Sequence, residues 1–157
     1  MRGVLLAALG AFVLADTPAL AGANDVLECD FREFRNALRS PGPALVAEVP
    51  GTMSPIPLNA VQVTDKSITR KVLVEGLFAR RTPTGTLEVM ARLVNCTDYP
   101  LQVEGRSWFM DENQLPSEGE SAWRRVFLNP RSTAVYREFS IGTNGVANYL
   151  IELREGR

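Results

Sequence analysis

Residues 72–95 read VLVEGLFARRTPTGTLEVMARLVN, and they decide the fold. In the second half, Leu87, Val89, Ala91 and Leu93 alternate with Glu88, Met90, Arg92 and Val94. A period of two belongs to a strand with one buried face. Val72, Val74 and Leu77-Phe78 give the first half its apolar content, and Thr82-Pro83-Thr84-Gly85 is a tight connection between the halves. The spacing predicts an antiparallel hairpin, Val72–Arg81 against Thr86–Asn95.

Downstream the same pattern repeats. Tyr99-Pro100 opens a strand in which Leu101, Val103, Gly105, Ser107 and Phe109 point one way. Gln102, Glu104, Arg106, Trp108 and Met110 point the other. Asp111-Glu112-Asn113-Gln114 reads as a polar turn. Trp123–Leu128, Thr133–Ile141 and Val146–Arg154 are three further strands, parted by Asn129-Pro130-Arg131-Ser132 and Gly142-Thr143-Asn144-Gly145. Upstream, Val61 and Val63 begin a strand that Thr64-Asp65-Lys66 turns. Strands at this spacing with little helix predict an all-β, immunoglobulin-like antiparallel sandwich of about six to eight strands.

The N-terminal third reads differently. Residues 1–23, MRGVLLAALGAFVLADTPALAGA, combine a basic start at Arg2, an apolar run and small-residue sites around Ala21 and Ala23. That is the layout of a cleaved secretory signal, and a run of roughly 13 apolar residues falls short of a bilayer span. Export leaves about 135 residues, one domain's worth, with no integral membrane segment after cleavage. Residues 24–58 read as an N-terminal extension. Leu27, Phe31, Phe34 and Leu38 fall on one face of a helix over 24–40, which Asn24 or Asp25 caps and Ser40-Pro41-Gly42-Pro43 ends. Its apolar face packs on the domain's own sheet or docks on a partner, with Phe31 and Phe34 as the candidate contacts. Ala44–Val49 fits a short strand. Pro50, Pro55 and Pro57 then predict a linker that holds no backbone ladder. The sandwich domain is placed at 59–157.

The chain has a net charge of -1 and no histidine. Near-neutrality supplies no field for nucleic acid. Lack of histidine removes the commonest general base, the commonest zinc ligand and the Ser-His and Cys-His pairs. The sequence holds no phosphate loop, no nucleophile elbow and no CxxC pair, so it predicts a non-enzyme without cofactor or metal. Asp111, Glu112, Glu118 and Glu120 are acidic enough for glycoside hydrolysis or calcium, but they sit in a turn where solvated acids collect and Pro116 interrupts them. The two cysteines, Cys29 and Cys96, predict a disulfide in an oxidising compartment. Trp108 and Trp123, beside Arg106 and Arg124-Arg125, are candidate interface residues, since tryptophan and arginine concentrate at hot spots.

Residues 59–154 resemble the YcfL family, a bacterial envelope domain of unknown function. The likeness rests on LEVMARLVN at 87–95, then Thr97 and Pro100, then RSWFMDEN at 106–113, with Trp123 and NYLIELR at 148–154. The resemblance implies a small immunoglobulin-like sandwich, with Asn95, Thr97, Trp108 and Asp111 as determinants of turn and core. It implies no catalytic residues. The chain departs from the family's lipoproteins in lacking a lipidated cysteine and in carrying the 24–58 segment. Together these readings predict a soluble periplasmic accessory protein acting by contact with other envelope proteins or with copies of itself. A binding module for a small ligand or glycan, using Trp108 or Trp123 as a platform, is the alternative.

Overall fold

The hairpin of residues 72–95 forms the middle of one sheet, and the rest of the chain is built around it. A computed structural model describes residues 27–45, 53–143 and 145–156, so the signal reading and the Asn24 or Asp25 cap lie outside the described residues. The elements in chain order are α1 (Arg32–Ala37), β1 (Ala44–Leu45), β2 (Ser54–Ile56), β3 (Val61–Val63), β4 (Val72–Arg81), β5 (Leu87–Asn95), β6 (Leu101–Met110), β7 (Arg124–Leu128), β8 (Thr133–Phe139) and β9 (Asn148–Glu155). One sheet runs β2-β4-β5-β8. The other runs β1-β9-β6-β7, with β3 also on β9. All pairs are antiparallel except β3 with β9. The result is an all-β sandwich.

The predicted hairpin pairs Val72 with Asn95 and Arg81 with Leu87. Its turn closes through Thr82 N–H to Thr86 O at 2.9 Å, and Gly85 takes a φ of +87°, which favours glycine. A bulge between Val74 and Gly76 inserts Glu75. It explains why β4 breaks the strict alternation that β5 keeps. Val72 and Val74 point inward before the bulge, Leu77 and Ala79 after it, and all four are buried.

The N-terminal segment corrects two expectations. Only six residues, Arg32–Ala37, form α1, where the spacing predicts a helix over 24–40. The Asp30 carboxylate accepts the Arg32 N–H at 2.9 Å and starts the helix there, while Cys29 just before it is tied to Cys96. At the other end, Arg39 and Ser40 N–H groups reach back only three residues, to Asn36 and Ala37, so the turn tightens before Pro41. Phe34 is buried in the core, with Leu27, Phe31 and Leu38 packed beside it, so the apolar face serves the protein's own sandwich.

The described part of the proline-rich stretch does not behave as the predicted linker. Ala44 and Leu45 pair with Tyr149 and Asn148, and Ser54–Ile56 pairs with Leu77–Ala79. Residues 24–58 thus supply an edge strand to each sheet. Pro55 is tolerated because an edge strand needs ladder bonds on one side only.

The interior shows where shape is least forgiving. Tyr136 on β8 lies across Gly105 on β6, and its hydroxyl meets Ser107 Oγ at 3.0 Å. A Cβ at Gly105 would stand 2.6 Å from the Tyr136 ring. Gly105→Ala is therefore expected to cost about 1–3 kcal/mol by overpacking, read as a lower urea midpoint with unchanged slope. An unchanged midpoint would show that the ring moves aside freely.

Candidate interaction surface

The outer face of the β1-β9-β6-β7 sheet gathers most of the aromatic and arginine residues singled out in the sequence. Register sets Arg125 and Arg154 on either side of Glu104, Glu152 beside Arg106, and Leu150 beside Trp108. The Arg106 guanidinium lies 5.3 Å from the centre of the Trp108 ring and 4.6 Å from that of Trp123, and Arg154 stacks on Trp123 at 3.9 Å. Cation–π attraction and charge act together here. Arg106 also pairs with Glu152 and, at 2.8 Å, with Glu120. Hydrogen bonds from Arg125 and then Arg154 hold the Glu104 carboxyl below the usual carboxylate range. Trp123 is thus stacked with the guanidinium groups of Arg106 and Arg154.

The other predicted residues take separate places. Asn95 is fully buried at the end of β5, where its amide donates to the carbonyls of Tyr99, Leu128 and Asn129 at 2.8, 3.3 and 2.9 Å. Its Oδ1 accepts from the N–H and Oγ1 of Thr97. Asp111 holds the next turn by accepting the N–H groups of Asn113 and Leu115. Arg124 crosses between the sheets to Glu138 at 2.8 Å. Cys29 and Cys96 are joined in a disulfide. Phe34 lies inside and Phe31 against the core, so of the candidate contacts these two belong to packing.

The acidic turn is taken up structurally. Glu118 accepts the N–H groups of Ile141 and Gly142, and Glu120 pairs with Arg106. Among the described residues, no group of three His, Cys, Asp or Glu residues is placed to hold a metal ion, and no helix is long and apolar enough to cross a membrane.

Sequence reasoning missed the exposed apolar side chains of the edge strands β7 and β8. Phe127 on β7, Val135 and Phe139 on β8, and Ile141 just beyond it are 67%, 46%, 39% and 87% exposed. Beside them, Glu88 is fully buried on an outer face, held between Arg80 and Arg137. The alternation of Thr133–Phe139 already put Val135, Arg137 and Phe139 on one face. The missing signal was that no later strand covers it.

Two buried tyrosines set an alkaline limit. Burial pushes the Tyr136 hydroxyl up to about 12, and raises Tyr149 as well. The folded chain keeps these protons between pH about 10 and 12, where the unfolded chain releases them, so stability falls as pH rises through that window. For Tyr136 the loss is on the order of 2 kcal/mol. Urea midpoints from pH 9 to 11.5 should fall less steeply for Tyr136→Phe; identical slopes would contradict the assignment.

No family model and no curated protein matches this chain. Three solved structures are similar to it. Cj0090 of Campylobacter jejuni superposes with a TM-score of 0.48 at 14% identity, over 62% of this chain and 98% of that one. A DUF1425 family member from Shewanella sp. PV-4 gives 0.44 at 12% identity, over 74% and 98%. The trimeric lipoprotein SadB of Salmonella enterica gives 0.37 at 12%, over 76% of this chain and 63% of that one.

Proposed function

We propose that the chain is an exported, non-enzymatic accessory protein that works by contact with other proteins of a bacterial envelope assembly. The observation that carries this reading is the exposed apolar side chains of the edge strands: Val135 and Phe139 alternate with Arg137 on the outer face of one sheet, Ile141 follows them, and Phe127 shares the outer face of the other sheet with Arg125. Aromatic and arginine side chains of this kind anchor protein interfaces. The signal-like residues 1–23 and the YcfL-like motifs at Asn95, Thr97, Trp108 and Asp111 support the same reading.

A photo-cross-linking residue at Phe127 or Phe139, in cells of the source organism, should give a discrete higher-mass adduct. The same residue at Ser67, exposed elsewhere on the surface, should not. Adducts absent from both positions, or turnover of a substrate abolished by one polar substitution, would remove the reading.

A further inference from the structure

β8 is the outermost strand of its sheet, with β5 on one side and no described strand on the other. Bonds at its two ends fix which way its backbone faces. Asn95 N–H donates to Ser132 O, and Ser140 N–H donates to Leu87 O, so the even-numbered residues turn toward β5. By alternation, Thr133, Val135, Arg137 and Phe139 turn their N–H and C=O groups outward. The Phe139 N–H is taken by the carboxylate of Glu138 at 3.1 Å. Among the described residues, the edge from Thr133 to Arg137 is left open.

Exposed edges are normally blunted by proline, lysine, a bulge or shortness. β2 has three residues and a proline, and β1 has two residues. β8 has seven residues, with neither proline nor lysine. Its outer face carries a charge as well. Arg80 and Arg137 each donate to the buried Glu88 carboxylate through Nε alone, Arg80 at 2.5 Å. One carboxylate therefore holds two guanidiniums, a triad with net charge +1. Among the described residues the terminal amino groups of both forks meet no second carboxylate, and the Arg137 fork lies over the Phe139 ring at 4.8 Å. Guanidinium forks bind carboxylates in pairs of parallel bonds. On the opposite sheet the corresponding triad is tighter: Arg125 donates to Glu104 through two nitrogens, and so does Arg154.

We propose that the open edge of β8 receives an extended segment of a partner protein in which an acidic residue alternates with apolar ones. The acid lies against Arg137, and the apolar side chains lie against Val135 and Phe139. Strand addition supplies the backbone bonds, and the period of two puts the three side chains on one face. This inference rests on the contact reading above and names its place and its chemistry.

The probe is a fluorescent heptapeptide, Thr-Val-Thr-Glu-Thr-Val-Thr, titrated onto the full chain beside versions with Gln or Lys at the centre. The Glu peptide is expected to bind about tenfold more tightly than the Gln peptide, and the Lys peptide more weakly still. It should slow amide exchange at Val135 and Arg137. Arg137→Ala should erase the preference for Glu. Val135→Pro, which removes an outward N–H and no ladder bond, should abolish binding at an unchanged melting temperature; should it fail to fold, the exchange measurement decides.

Equal binding of the three peptides, or protection away from β8, overturns the proposal. Inorganic phosphate binding as tightly as the peptide would mark a plain anion site and also overturn it. So would sedimentation showing that two copies pair through β8. Lack of peptide binding while the Phe127 cross-linker still captures a partner refutes this inference alone, whereas loss of both refutes the contact reading too.

Discussion

Asn95→Asp should melt on the order of 12 °C below the parent chain, a loss of about 4 kcal/mol. The side chain is fully buried, and its amide nitrogen is the common donor to three carbonyls, those of Tyr99, Leu128 and Asn129. These carbonyls belong to the end of the β5–β6 connection, the last residue of β7 and the β7–β8 turn, so one side chain ties three pieces of backbone. Aspartate keeps the oxygen that accepts from Thr97 but sets a second oxygen, with a negative charge, against all three carbonyls. An uncompensated buried charge is among the costliest single changes. Asn95→Ala leaves the carbonyls orphaned without repulsion and should cost roughly half as much. Scanning calorimetry and urea titration read both variants. A loss under about 1 kcal/mol for the aspartate would mean that water reaches the site.

Removing the disulfide with Cys29→Ala and Cys96→Ala together should cost about 4 kcal/mol. The bridge spans 67 residues, and in the chain-entropy model its contribution comes from shrinking the unfolded ensemble. The folded sandwich should survive, because Phe34 remains seated in the core. Hydrogen exchange should then speed up chiefly over residues 27–38, while β4 and β5 stay protected. An unchanged denaturation midpoint would show that the entropic account does not hold for this loop.

Particular residues show what could be read in advance and what could not. β5 and β6 were legible because each has one buried face, and a period of two is then imposed on the side chains. The disulfide followed from a count of two cysteines in a chain whose first residues read as a secretory signal. The length of α1 did not, because periodicity at Leu27, Phe31, Phe34 and Leu38 reports a shared buried side. An extended stretch pinned by Cys29 meets that condition as well as a helix does. β2 was hidden by Pro55, which argues against a ladder until the strand is known to be an edge. The Arg106–Trp123–Arg154 cluster depends on β6 lying between β7 and β9. That register joins residues nearly 50 positions apart, and local pattern carries no information about it. Glu88 looked like an ordinary solvent-facing acid. The stems of Arg80 and Arg137, reaching from both neighbouring strands, are what cover it.

The position of β9 bears on the order in which this molecule can be assembled. Strands β1 and β3 pair with β9 and with nothing else among the described residues. A polypeptide made from its first residue onward can complete the β2-β4-β5-β8 layer once residue 139 is present. Its opposite layer must wait for residues 148–155. During that interval β1, β3 and one flank of β6 lack their partner, and the half-built particle exposes the apolar surface that β9 later covers. Whatever chaperone attends the emerging chain would meet it in that state, and a ribosome stalled a few codons early would leave it there.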